Sequence, residues 1–235
     1  GASVTLFSRN EARLLSVKSE LDTSQGQEHN VLVADFTDPN SVQAAISKDV
    51  ESGHQYEILI NNTGGPAPGL AIDADPSAFL AAFNLHLINN QNLVQALLPA
   101  MKASHYGRII NVISTSVKQP IPGLGVSNTI RGAVASWSKT LANELGQFGI
   151  TVNNILPGAT ATARLDAIIE GKAKKQNISL EEATANEKAA TLGYTPERLK
   201  PTFDLNNEHW YTHHAVIGEP YFDEPGFEFL NTDSF

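Results

Sequence analysis

Few side chains in this 235-residue chain can move a proton near neutral pH, and one of them, His86, stands inside the apolar segment FNLHL. An imidazole there titrates in the range useful for acid–base work, although a histidine on the buried side of a helix can equally bond a backbone carbonyl. Lys118, in STSVKQP, lies four residues beyond Ser114 on a loop expected to overhang a pocket. An exposed loop lysine is ordinarily just solvated. Arg131 keeps its proton at any working pH, so its forked donors can hold a ribose or a phosphate but cannot shuttle protons. In the segment EHWYTHH, His209 and His213 stand at helical i, i+4 spacing, beside His214 and near Glu208 and Glu219, which raises a metal site. No helix is well supported there and the set matches no recognised ligand pattern, so no metal is expected. The absence of cysteine excludes thiolate catalysis, disulfides and cysteine-held metals.

Such groups need rigid elements to position them, and the chain alternates two kinds. ASVTLF (2–7), VLVADF (31–36), YEILIN (56–61), GRIINVI (107–113) and ITVNNIL (150–156) read as strands. Helical spacing begins at Glu11, covers 39–52 with Val42, Ala45, Ile46 and Val50, and covers 76–101 with Phe79, Phe83, Leu87, Asn90, Val94, Leu97 and Met101. A helix over 127–147 aligns Ile130, Val134, Trp137, Leu141 and Leu145, with Asn128 and Thr129 of GVSNTIRGAV as cap candidates. Apolar strands alternating with helices predict an α/β fold whose doubly wound parallel sheet is covered on both faces. Ligands in such sheets bind beyond the carboxyl ends of the strands. Those ends are Arg9, Asp35, Asn62-Thr63-Gly64, Ser114 and Pro157-Gly158.

Composition narrows the partners. No stretch approaches the roughly 18 apolar residues of a membrane span. The opening GASVTLFSRN lacks the basic start and apolar run of a secretory leader, so a cytoplasmic protein without a membrane partner is expected. The net charge of −9 argues against nucleic acid, which wants a basic face. That charge is uneven: Pro201 to Phe235 holds seven acidic residues, no Lys or Arg, and eight of the seventeen aromatics. A boundary therefore falls near residue 191, with one α/β domain over 1–190. An acidic, aromatic-rich extension over 191–235 packs on that domain or on a partner.

The segments LFSRN, ADFTD, NNTGG, GRIINVIST and TVNNILPGATAT occur in this order on the expected strand ends. From about Gly1 to Ala190 the chain thereby resembles a short-chain dehydrogenase/reductase of the 3-oxoacyl-reductase-like type, which implies a Rossmann-like sheet. LFSRN resembles the end of the family's second strand, ADFTD its adenine-contacting turn and NNTGG its Asn-Asn-Ala-Gly turn. GRIINVIST resembles the catalytic-serine strand, and the last segment the Pro-Gly stretch lining the nicotinamide. Two parts differ. The family's opening strand and its Thr-Gly-x-x-x-Gly-x-Gly turn have no counterpart, so the fold is expected to lack the first β-α unit and a main anchor for pyrophosphate. The family's ending is not recognisable after Ala190, as in a truncated or altered version of a longer enzyme.

The family's catalytic set is Asn–Ser–Tyr–Lys. Ser114 falls at the serine position, Ser127 at the tyrosine position, Arg131 at the lysine position and His86 at the asparagine position. A phenol of pKa about 10 can be drawn towards neutrality by a nearby cation. An aliphatic hydroxyl is a far weaker acid, so Ser127 cannot simply replace the phenol, and the inherited acid–base system is broken. His86 or Lys118 is left to manage the proton. On the cofactor side the resemblance implies Ser8 and Arg9, with Arg9 favouring the 2′-phosphate of NADP over NAD, and Asp35 and Phe36 at the adenine. It also implies Asn62, Thr63 and Gly64 in the turn, and Pro157, Gly158 and Thr162 at the nicotinamide. Plain alternatives stand beside three of these: Arg9 on an ordinary surface, Asp35 capping the turn before Pro39, and Thr162 capping a helix from Ala163.

The expected function is an NADP-dependent oxidoreductase that reduces a carbonyl or oxidises an alcohol on a small molecule. The rival is a catalytically silent scaffold of the same fold that binds a partner or small ligand, resting on the lost Tyr–Lys pair and the missing glycine-rich turn. The resemblance also implies a homo-oligomer formed through helices 76–101 and 127–147, whose apolar stripes otherwise read as core.

Overall fold

The computed structural model describes residues 1–158 and 163–192. Gly1–Asn154 form one compact unit, and the residues from Ile155 onward belong to a second. In the first, β1 (Thr5–Ser8) pairs in parallel with β2 (Asn30–Val33), Thr5 opposite Asn30 and Ser8 opposite Val33. β3 (Ile58–Asn61) pairs in parallel with β4 (Gly107–Val112), Asn61 opposite Asn111, and β5 (Ile150–Ile155) lies on the other side of β4. Helices join successive strands, as expected of a doubly wound α/β fold. The strands nevertheless fall in two sheets: among the described residues, none pairs with both β1 and β3.

Helix starts follow side-chain chemistry. Asn10 caps α1 (Glu11–Glu20), Asp38 caps α2 (Pro39–Glu51) and Asp75 caps α3 (Pro76–Phe83). The prolines opening α2 and α3 sit where a missing N–H costs nothing. The single helix expected over 76–101 is in fact three pieces: α3, a π-helical turn (Asn84–Ile88), and α4 (Asn89–Ser104). α5 (Gly125–Leu145) begins before Asn128 and Thr129, so neither is its cap. The Asn128 amide instead donates to the Ile121 carbonyl at 2.9 Å, and the Thr129 hydroxyl donates to the Gly125 carbonyl at 3.0 Å. Their hydrogen-bonding capacity goes to the preceding loop and the first turn, an alternative open to short polar side chains.

The apolar core joins Val42 and Ile46 of α2, Leu93, Leu97 and Met101 of α4, Ile109 of β4 and Val152 of β5. These are the stripe and alternate-strand positions that the two periodicities select. The opposite face of β3 is different: Ile58 and Ile60 are 50% and 61% exposed, so the two-sided coverage expected from the sequence is not met there. Beside the apolar core lies a polar one. The Asn61 amide donates to Asn111 Oδ1 at 2.8 Å, and the Asn111 amide donates to Ser138 Oγ at 3.2 Å and Asn154 Oδ1 at 3.3 Å. The network pins β3, β4, β5 and α5 together near the carboxyl ends of the strands, each bond contributing about 1 kcal/mol net.

At the opposite ends of the strands, Tyr56 connects the two sheets. Its hydroxyl donates to Asp49 Oδ2 at 2.6 Å and meets Thr5 Oγ1, at the start of β1, at 3.1 Å. His54 Nδ1 lies 3.0 Å from the other Asp49 oxygen. In the second unit, α6 (Ala163–Gln176) and α7 (Leu180–Leu192) bury Leu165, Ile169, Ala173 and Ala183 together, and Lys172 pairs with Glu187. Thr162 and residues 193–235, with His209, His213 and nearly all of the acidic extension, lie outside the described residues. No helix among the described residues is long and apolar enough to cross a membrane.

Candidate active site

Ser114 follows β4 on extended backbone, and its Oγ accepts the Ser116 N–H at 3.1 Å, capping a short 3₁₀ turn over Thr115–Val117. With the oxygen engaged as an acceptor, the hydroxyl proton is the part left to donate outward, for example to a carbonyl oxygen. The Lys118 N–H closes the turn on the Thr115 carbonyl at 3.0 Å, while the residue itself is exposed.

α5 packs on both this turn and the π turn. It carries Ser127, half-buried, and Arg131, buried. Arg131 Nη1 donates to the Val112 carbonyl at 2.8 Å, which ties the guanidinium to the strand that leads into Ser114. The close approach of α5 depends on a glycine. The Gly69 N–H donates to the Gly123 carbonyl at 2.7 Å and the Gly125 N–H to the Gly69 carbonyl at 2.9 Å. A Cβ on Gly125 would stand 2.3 Å from the Ala71 nitrogen and 2.5 Å from its Cα. Glycine therefore lets the loop that begins at NNTGG close against the start of α5.

His86 lies in the π turn, 2% exposed, with Nδ1 2.7 Å from Thr63 Oγ1. The partner at Nδ1 is thus a side-chain hydroxyl rather than a backbone carbonyl. A π turn inserts one extra residue into a helix, and such insertions recur at functional sites. Thr63, expected in the cofactor turn, and His86, expected in the catalytic set, are one hydrogen-bonded pair.

At the end of β1, Ser8 is half-buried and Arg9 exposed. Asp35 accepts the Thr37 N–H at 2.9 Å. That bond, helped by the Thr37 hydroxyl and the nearby charge of Arg9, holds the Asp35 carboxyl below the usual carboxylate range. Asp35 therefore caps its own turn, within reach of the field of Arg9. The Phe36 ring meets Phe7 edge-on at 5.0 Å, and the Phe36 carbonyl accepts from the Asn89 amide at 2.7 Å. Asn62 and Gly64 are exposed, and a Cβ on Gly64 would meet nothing within 4 Å. Pro157 and Gly158 follow β5 and are half-buried, in the second unit.

Asn61 Oδ1, Asn89 Oδ1 and Ser116 Oγ are buried and have no hydrogen-bond partner among the described residues. Unmet buried acceptors are rare, and a polar ligand is one way to satisfy them. Asn89, Asn111 and Ser138 escape a reading from sequence, although each is at most 1% exposed. The available signal is a short polar residue standing at a strand or stripe position that should be apolar.

Comparison with known proteins agrees with this architecture. Residues 1–173 match the family model for short chain dehydrogenase. The NADPH-dependent reductase BacG of Bacillus subtilis (strain 168) is 27% identical over 182 residues, 77% of this chain and 70% of that protein. The granaticin polyketide synthase putative ketoacyl reductase 1 of Streptomyces violaceoruber is 30% identical over 184 residues, 77% of this chain and 67% of its own length. Among solved structures, L-sorbose reductase from Gluconobacter frateurii, complexed with NADPH and L-sorbose, matches with a TM-score of 0.72 at 27% identity. That match covers 85% of this chain and 77% of the reductase.

Proposed function

The chain belongs to the short chain dehydrogenase family, and from that premise we propose that it is an NADP-dependent oxidoreductase reducing a carbonyl, or oxidising an alcohol, on a small molecule. The Ser114 hydroxyl carries the proposal: its oxygen is held by the Ser116 N–H, so its proton is left to donate at the end of β4.

The residues fit a phosphorylated dinucleotide. Exposed Arg9, with Ser8 beside it, offers a cation to a 2′-phosphate, and the open turn at Gly64 offers backbone to a close ligand. Asp35 and Phe36 would border the adenine and Asn62 and Thr63 would shape the turn, while the nicotinamide supplies the hydride when bound. The partnerless Asn61 Oδ1 and Ser116 Oγ can accept or give further hydrogen bonds. Relatives that use NADPH support the same choice over NAD.

From the protein side, Ser114 donates to the substrate oxygen and orients the carbonyl. Ser127 is too weak an acid to supply the proton, and Arg131 does not release its own. The buried charge of Arg131 instead stabilises negative charge on that oxygen or holds the ribose. The proton passes through His86, with exposed Lys118, on the turn after Ser114, as the alternative. A homo-oligomer through α3–α4 and α5, and a cytoplasmic location, belong to the same proposal; Leu80 and Phe83 leave apolar surface on α3 for such a contact.

The test uses the intact protein. Near-millimolar NADPH should gain fluorescence on mixing, and a panel of ketones and oxoacyl thioesters should yield steady NADPH oxidation. Ser114→Ala should lower kcat/KM by about 100-fold or more while keeping cofactor binding, as loss of an oxyanion donor does. No fluorescence change would overturn the proposal. One observation favours a catalytically silent scaffold instead: Arg131, at the lysine position, bonds the backbone carbonyl of Val112. Steady turnover that Ser114→Ala abolishes eliminates that reading.

A further inference from the structure

Resting on the role of His86 above, we propose that the Thr63 hydroxyl fixes the His86 ring and relays its proton, so that the ring exchanges a proton without moving. The contact of 2.7 Å between Thr63 Oγ1 and His86 Nδ1 is short, and both sides of it are anchored. Thr63 lies two residues past Asn61, whose amide is bonded to Asn111 on β4. His86 lies three residues before Asn89, whose amide is bonded to the Phe36 carbonyl. The ring itself is buried within a helix that carries an extra residue at that point.

The kind of partner matters as much as its position. A backbone carbonyl at Nδ1 could only accept, and would hold a proton on that nitrogen in every state. A hydroxyl both donates and accepts. With the ring neutral and protonated at Nε2, the Thr63 O–H donates to Nδ1. With the ring charged, Nδ1–H donates to Thr63 Oγ1. One proton taken up at Nδ1 through the hydroxyl converts the first arrangement to the second, and the ring need not turn. In the reduction, the Thr63 hydroxyl, accepting from Nδ1–H of the imidazolium, would give its own proton to the alkoxide that hydride transfer leaves on the substrate and take the Nδ1 proton, so that the ring ends neutral and protonated at Nε2; a proton from water would return by the same path. The Thr63 bond reverses its direction twice and the ring stays in place.

Thr63→Val keeps the shape and removes the hydroxyl, Thr63→Ala removes it without adding a methyl against the ring, and Thr63→Ser keeps it. The Val and Ala variants should lower kcat by about tenfold or more, the scale of a weakened acid–base step. Thr63→Ser should restore most of the rate. In parallel, nitrogen–proton correlation spectra of the imidazoles, with the His86 signals assigned by their loss in His86→Asn, should change in the Val and Ala variants and persist in Ser. Unchanged His86 signals in both Val and Ala overturn the pairing, and changed signals with an unchanged kcat overturn its catalytic use. The spectra need no turnover, so an inactive protein with hydroxyl-dependent His86 signals would sink the oxidoreductase reading and leave the pairing standing.

Discussion

A guanidinium at a buried position must find hydrogen-bond acceptors, and Arg131 takes the Val112 carbonyl. Arg131→Met would leave that carbonyl without its donor while filling much of the same volume. Hydrogen bonds to charged groups are worth about 1.5–3 kcal/mol, so a fall of that order in unfolding free energy is expected from urea titration. Ser114, Ser127, Arg131 and His86 could be picked out from the sequence because each stands at a strand end or a helix position with a recognisable neighbourhood. Their partners could not. Thr63 and His86 stand 23 positions apart, and nothing in the stretch between says that a hydroxyl and an imidazole will meet. Asn111 was hidden for a related reason: an amide inside an apolar strand reads as a flaw until its three partners are seen around it.

Helices and strands were more legible than their interruptions. The stripe over 76–101 marks helix on both sides of the interruption, because each piece keeps the three- and four-residue spacing and that spacing tolerates the shift of face between them, which leaves Phe83 37% exposed. That tolerance conceals the π turn over Asn84–Ile88, where His86 sits. The start of α5 was misread for the opposite reason, since Asn128 and Thr129 have cap chemistry but bond the loop and the first turn. Gly125 sets the true start by letting the Gly69–Ala71 segment lie against the helix. Gly125→Ala should force these two loops apart, at about 1–3 kcal/mol as for other overpacked sites. A lower melting temperature, together with reduced turnover that tighter cofactor binding does not explain, would be the result to look for.

At the scale of the molecule, two sheets share one apolar core and are bridged at one end by Tyr56. Burial, the hydrogen bond to Asp49 and the Asp49 charge push the Tyr56 hydroxyl up to about 12, against a smaller opposing effect of Thr5. The folded value lies above the unfolded one of about 10, so the folded state favours the protonated phenol. Its contribution to stability is complete below about pH 10 and is lost as pH rises through the folded value. Melting temperatures taken from pH 9 to 12 should therefore fall more steeply for the natural protein than for Tyr56→Phe, which has no proton to lose. The doubly wound order of strands and helices was readable throughout. The exposed face of β3 was not, because Ile58 and Ile60 have the composition of a covered strand.

The separation of the two sheets has one more consequence. Among the described residues β1 pairs only with β2, and β3 only with β4. Each therefore has a side without a strand partner among the described residues, and such edges are templates for an extended segment that reaches them. Main-chain groups make such pairing indifferent to most side chains of the segment, so access to these edges decides what can join them.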